Sequence, residues 1–181
     1  MERQLDAIHG RGLRVLVFWL VVILTVTIDQ ATKAAVTVNL EHQSMALIPG
    51  VIDIVYVENT GAAFSIGQGG GLIFIIVAVA FLVGAMFTVW NKPDLPMGLV
   101  VSIGLVAGGG MGNMVDRLME GYVTDFIATR FIDFPVFNVA DMCVTVGVFA
   151  TVIGYWVWDS RRERDDGDKG TSDDRTLDSG V

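Results

Sequence analysis

Two aspartates held close together can run a hydrolysis without a metal. Like charges at short range cannot both ionise easily, so one carboxyl keeps its proton while the other stays anionic. The anion can activate water and the acid can serve the carbonyl oxygen. In this 181-residue sequence Asp141 is one evident member of such a pair, and Asp29, Asp116 and Asp125 compete for the second place. Other chemistries lack their parts. His9 lies in the N-terminal arm and His42 stands alone, with no H-E-x-x-H for a zinc site. No Gly-x-Ser-x-Gly is present and no histidine is placed to serve a serine as base. A Ser–Lys dyad fails on position: Ser102 falls far from Lys33, and Ser44 and Ser65 have no lysine partner. The single cysteine, Cys143, excludes a disulfide framework and a cysteine-built metal site, and is expected to be a small buried core residue. No metal or organic cofactor is called for.

The elements that must carry these carboxylates are set by hydropathy. The chain is 52% apolar with a mean hydropathy of +0.58, and its charges are segregated. Residues 15–28, 72–90, 97–115 and 142–158 hold no charged side chain. About 20 apolar residues in a helix cross a hydrocarbon core of roughly 30 Å, so these stretches read as four membrane spans. Their expected bounds are about 13–33, 71–90, 97–115 and 139–158. The first uncharged run covers only about 21 Å as a helix and must continue through Asp29 to Lys33 to complete a crossing. A cleaved leader would fit Arg3, Arg11 and Arg14 ahead of a short apolar run, but Asp29 and Gln30 stand where small cleavage-site residues are wanted. The net charge of −8 argues against a nucleic-acid partner.

Basic residues near span ends orient the bundle. Arg3, Arg11, Arg14, Lys92, Arg161, Arg162 and Arg164 fall on one side; Lys33, Arg117 and Arg130 fall on the other. Both termini are therefore expected in the cytoplasm, with Trp90, Tyr155, Trp156 and Trp158 as an interfacial belt there. The organisation expected is a cytoplasmic arm at 1–14, a four-span unit at 15–158 and a disordered acidic cytoplasmic tail at 159–181. The extracytoplasmic segments are then about 34–70 and 116–138. On this topology Asp29, Lys33, Asn59, Asn113, Asp116, Arg117, Asp125, Asn138 and Asp141 all gather at the outer face. Val51–Glu58 is β-branched and aromatic between Pro49-Gly50 and Asn59-Thr60-Gly61, which reads as a strand or short hairpin outside the membrane. Asn59 can close the turn after it or aim its amide into a site.

Each spacing also has a plain structural account. Asp29 and Lys33 form a favourable i, i+4 ion pair. Asn113, Asp116 and Arg117 share one helical face. Asn138 and Asp141 match a capping box at a helix start. Gly104, Gly108 and Gly112 are spaced for close helix packing. Residue types alone do not choose the partner of Asp141.

Five motifs do more together than apart. They are Asp29-Gln30-Ala31-Thr32-Lys33, Asn59-Thr60-Gly61-Ala62-Ala63-Phe64-Ser65, Gly112-Asn113-Met114-Val115-Asp116-Arg117, Val123-Thr124-Asp125-Phe126 and Phe137-Asn138-Val139-Ala140-Asp141. In this order and in register with four spans, over about residues 15–158, they resemble the lipoprotein signal peptidases (signal peptidase II), bacterial aspartic proteases. The resemblance implies removal of signal peptides from diacylglyceryl-modified prolipoproteins, cut just before the lipidated cysteine. It implies Asp125 and Asp141 as the catalytic pair, with Asn59, Gly61, Asn113, Arg117 and Asn138 binding substrate or supporting the dyad. Asp29, Lys33 and Asp116 are then braces. A small extracytoplasmic β-cradle is implied beside the all-α membrane unit. So are prolipoprotein and membrane lipids as partners, a monomer, and a place in the bacterial cytoplasmic membrane with the site at the extracytoplasmic face. The rival reading is a small four-span ion or proton transporter using outer-face carboxylates. Transporter sites, however, tend to lie at the midplane on broken helices in repeated halves. A non-enzymatic assembly factor using glycine-rich span three is a second rival.

Overall fold

Backbone in hydrocarbon must satisfy its own hydrogen bonds, so the long uncharged runs fold as helices. The computed structural model describes residues 2–40, 43–61 and 71–178, without the side chains of 2–9 and 165–178. His42 and the Ala62–Ser65 part of the second motif lie outside the described residues. The chain order is α1 (Glu2–Leu40), β1 (Met45–Ile48), β2 (Ile52–Asn59), α2 (Gly71–Asn91), α3 (Met97–Met119), β3 (Val123–Thr129) and α4 (Val139–Asp178). All four helices are long and apolar enough to cross a membrane. Three run past the uncharged cores read from sequence: α1 continues through the helix-favouring Ala31–Ala35 stretch to Leu40, α3 adds a turn to Met119, and α4 goes beyond Trp158. α4 continues from its span to Asp178, through the residues for which a disordered tail is the expectation from sequence. No proline interrupts it, and a span already formed removes the nucleation cost of extending a helix.

The bundle has an apolar end and a polar end. Phe18, Val22, Val89, Leu95, Leu99 and Val100 pack α1, α2 and α3 at the end near the α2–α3 link. Arg14 Nε donates to Leu95 O at 2.9 Å there, and Arg162 pairs with Asp94 at 2.8 Å. Toward the other end small residues bring α3 close to two neighbours. A Cβ on Gly108 would lie 2.7 Å from Thr25, and one on Gly112 would lie 2.6 Å from Asp29 Oδ2. One on Gly109 would meet Ala140 O at 2.5 Å. The spaced glycines thus serve helix packing, with Gly104, Gly108 and Gly112 against α1 and Gly109 against α4. Cys143 is only half-buried rather than part of a closed core.

The polar end carries a three-stranded antiparallel sheet in the order β1-β2-β3. Gly121, at φ +84°, makes the turn from α3 into β3, a conformation that favours glycine. The β2–β3 register shifts between Ile54 and Val57, so that Val57 faces Asp125 and Asn59 faces Val123. A bulge of this kind re-aims side chains beside it. After β3 the chain loops out and returns: Phe137 pairs with Ile127 and is stitched to β3 by three backbone bonds of 2.8–3.1 Å. Asn138 and α4 begin at once.

Candidate active site

That return brings Asp141 to Asp125. Asn138 is fully buried beside β3 and caps α4: its Oδ1 accepts from Asp141 N at 2.9 Å, and Asp141 Oδ2 accepts from Asn138 N at 3.2 Å. The capping box read from sequence is therefore present, and it has a second use. Asn138 Nδ2 is left free to donate to Asp125 Oδ1 at 2.7 Å. One residue thus touches both carboxylates.

Two further asparagines complete the hold. Asn59 Oδ1 accepts from Gly61 N at 2.9 Å, closing an Asx turn, which points Nδ2 at Asp125 Oδ2, 2.8 Å away. Both uses foreseen for Asn59 occur together. Asn113 Nδ2 donates to Asp141 Oδ1 at 2.8 Å, while its Oδ1 accepts from Lys33 Nζ at 2.8 Å and Asn138 Nδ2 at 3.0 Å. Partners on both ends of each amide leave one consistent orientation, in which the carboxylates meet donors only.

Among the described residues no cation is bonded to Asp125. The side chain is 3% exposed. Burial pushes its carboxyl up to about 6, further raised by the charge of Asp141 and opposed by the Asn59 and Asn138 hydrogen bonds and by Lys33. Asp141 is half-buried at the N-terminus of α4, where the helix dipole presents its positive end. The pair therefore has an asymmetric setting.

Behind the dyad lies a second carboxylate pair. Lys33 Nζ sits 2.8 Å from Asp29 Oδ2 and 2.7 Å from Asp116 Oδ2, all three side chains at most 5% exposed. Asp29 Oδ1 accepts from Ala140 N at 2.9 Å, and Asp116 Oδ2 from Thr124 N at 3.2 Å. Gln30 Nε2 adds a 2.6 Å bond to Asp116 Oδ1 and one of 3.2 Å to Gly112 O. This cluster ties α1 to α3, α4 and β3. Gln30 was not singled out by sequence reasoning; the signal for it was an amide beside an acid in an apolar run. Arg117 touches neither Asp125 nor Asp141. Its Nη2 donates to Gly61 O at 2.9 Å, its Nη1 to Asn113 O at 3.2 Å, and its guanidinium lies 4.7 Å from the Phe74 ring centre. It clamps the turn that orients Asn59. Ser102 bonds to Leu99 O and accepts from Thr151, as a link between α3 and α4.

Comparison with known proteins finds this chain similar to one family. The family model described as signal peptidase (SPase) II matches residues 21–157. A lipoprotein signal peptidase of Gloeothece citriformis is 39% identical over 134 residues, which is 73% of this chain and 84% of that protein. One from Symbiobacterium thermophilum is 42% identical over 129 residues, 70% of this chain and 85% of its own. Among solved structures, a bacterial membrane enzyme determined by the in meso method at 2.3 Å matches with a TM-score of 0.71 and 30% identity. It covers 80% of this chain and 90% of its own.

Proposed function

The chain belongs to the signal peptidase II family of aspartic peptidases, and from that premise we propose that Asp125 and Asp141 are its catalytic dyad. As a member it is a multi-pass membrane endopeptidase that cleaves signal peptides from prolipoproteins; the transporter alternative has no support among its relatives. The observation that carries the assignment is Asn138, whose amide and backbone N–H each hold one of the two carboxylates.

The asymmetry of the pair supports one division of roles. Asp141 is the base: it takes a proton from water as the water oxygen attacks the scissile carbonyl carbon. Asp125, whose carboxyl is raised to about 6, supplies its proton to the carbonyl oxygen as negative charge develops there. Collapse of the resulting diol breaks the C–N bond. The amine leaves with the proton held on Asp141, and Asp125 recovers its own from the diol hydroxyl. Asn59, Asn113 and Asn138 keep both carboxylates aimed. Gly61 and Arg117 hold the Asn59 turn, and Asp29, Lys33 and Asp116 brace the helices behind it.

The finer reading is that the substrate carries a diacylglyceryl-modified cysteine and is cut just before it. The lipid chains lie in the bilayer against the helices, which holds the scissile bond at the boundary where the dyad sits. The positive-inside pattern supports cytoplasmic termini, with the site at the extracytoplasmic face of the bacterial cytoplasmic membrane and the four spans working as a monomer. Purified Asp125→Asn and Asp141→Asn, assayed on a lipidated precursor in micelles, should each lose at least ~10³-fold in turnover. Substantial cleavage by either folded variant would sink the dyad.

A further inference from the structure

The end of the bundle opposite the dyad holds cations that lack carboxylates. Arg11 lies roughly 27 Å down α1 from Asp29 and is half-buried. Its guanidinium carbon stands 5.7 Å from the centre of the Trp90 ring on α2, and its Nε is closed to solvent with no acceptor among the described residues. A ring face attracts a cation without neutralising it, and a charge drawn out of water with no counter-ion is costly. One turn on, Arg14 donates from Nε to Leu95 O and from Nη1 to Gly10 O, both at 2.9 Å and both neutral carbonyls, which leaves Nη2 uncommitted. Lys92, two residues after Trp90, is exposed and has no ion pair among the described residues.

The acids of this end do not supply the missing charge. Asp94 in the α2–α3 link is taken by Arg162 at 2.8 Å, and Asp159 and Glu163 stand exposed on α4 beside the further cations Arg161 and Arg164. The carbonyl end of α2 at Asn91 offsets part of the positive charge, while the N-terminus of α3 at Met97 adds to it. Next to these cations runs an apolar surface. Val83, Phe87 and Trp90 follow one another at i, i+4 and i+7 on the exposed side of α2, with Phe87 70% and Trp90 50% accessible. In a helix long and apolar enough to span a membrane, such a side faces acyl chains.

We propose that Arg11, Arg14 and Lys92 hold the headgroup phosphate of one anionic phospholipid, whose acyl chains lie along Val83, Phe87 and Trp90. The chemistry selects this occupant. Guanidinium N–H groups pair with phosphate oxygens through short charge-assisted bonds, and the Nη groups of Arg11 are the part of its fork not closed off behind Trp90. A free phosphate would satisfy the cations but has no use for the apolar stripe beside them. A zwitterionic lipid fits the stripe but brings its own cation to the site. The bound lipid would tie the start of α1 to the end of α2. The proposal rests neither on the dyad nor on the peptidase reading.

The test titrates the full chain, in non-ionic detergent, with phosphatidylglycerol or with phosphatidylcholine of the same acyl chains, and counts retained lipid by native mass spectrometry. Phosphatidylglycerol should be preferred at least ~10-fold, and Arg11→Gln and Lys92→Gln should each lower that preference about five-fold. Arg164→Gln, an exposed cation on α4 at the same end, should leave it in place. If Arg11→Gln does not fold, the exposed Lys92→Gln carries the test. Equal retention of the two lipids overturns the proposal. So does an equal loss in Arg164→Gln, which would mean diffuse positive charge rather than a site. Displacement of the lipid by inorganic phosphate, but not by chloride at matched ionic strength, also overturns it and assigns the cations to a soluble anion. No turnover is measured, so failure here leaves the dyad untouched, and a failed dyad leaves this measurement standing.

Discussion

Two pairs of aspartates lie at the same end of this molecule and are built differently. Asp29 and Asp116 share the ammonium of Lys33, and each also accepts a backbone N–H. Asp125 and Asp141 share only amides: Asn138 between them, Asn59 and Asn113 on their flanks. Both pairs are hydrogen-bonded, so hydrogen bonding does not separate a brace from a reactive site here. The counter-charge does. A cation between two carboxylates lets both stay ionised and fixed, whereas neutral donors leave mutual repulsion in place and keep one proton available. On the proposed assignment, the arrangement that is poorer for stability is the one that does the chemistry.

Removing the charge on which each pair depends should therefore have opposite effects on the fold. Lys33→Met leaves two buried carboxylates facing each other without a cation and is expected to cost about 3–5 kcal/mol, read as a fall in the midpoint of thermal unfolding in detergent. Adding Asp29→Asn to it should restore part of the loss. In the dyad the sign reverses. The Asp125 carboxyl is raised from 3.8 to about 6, so the folded chain binds this proton more tightly than the unfolded one. That contribution is present below pH 4 and is lost as pH rises through about 6. It amounts to roughly 3 kcal/mol for that shift. Asp125→Asn lacks the titration, so its stability relative to the parent should climb between pH 3.5 and 7.5 while its activity stays abolished. A flat difference would show that repulsion and burial do not strain this pair.

A smaller effect comes from packing behind the brace. Gly112→Ala places a methyl 2.6 Å from Asp29 Oδ2 on a helix with little room to move. It should lower the unfolding midpoint by an amount typical of overpacking, about 1–3 kcal/mol. Gly98→Ala, which meets nothing within 4 Å, is the control.

What the sequence disclosed follows the same division. Spans could be read because hydrocarbon demands long uncharged helices, and β2 because Ile52–Val57 is β-branched and bounded by turns. The Asp29–Lys33 pair and the Asn138–Asp141 box could be read because both partners lie within one helical turn. β3 could not: Val123–Phe126 is buried at every position, so it shows no alternation to mark a strand. Nor could local spacing supply Asp116 as the third member of the brace or Asn138 Nδ2 as the donor to Asp125. Those contacts join residues distant in sequence, the first through the packing of α3 on α1 and the second through the loop that returns at Phe137. Only the resemblance to a family singled out Asp125, which burial in β3 then accounts for.

The finest test of the contrast is the position of the alkaline limb of activity. If Asp125 must be protonated to serve the carbonyl oxygen, kcat/KM should fall as pH rises past about 6. Asn59 Nδ2 stabilises the ionised form of Asp125, so deleting that donor raises the carboxyl further and moves the limb to higher pH. Asn59 also closes the turn at Gly61, and a loosened turn would lower the rate without moving the limb. Asn59→Ala and Asn59→Ser separate the two effects, because a serine hydroxyl can still close the turn yet is too short to reach Asp125 as the amide does. Both variants should show the upward shift in a pH profile of kcat/KM, and only alanine should add a loss at every pH. A limb that stays in place in both would assign the titrating proton to a group other than Asp125, and the dyad would then have to work with its roles exchanged.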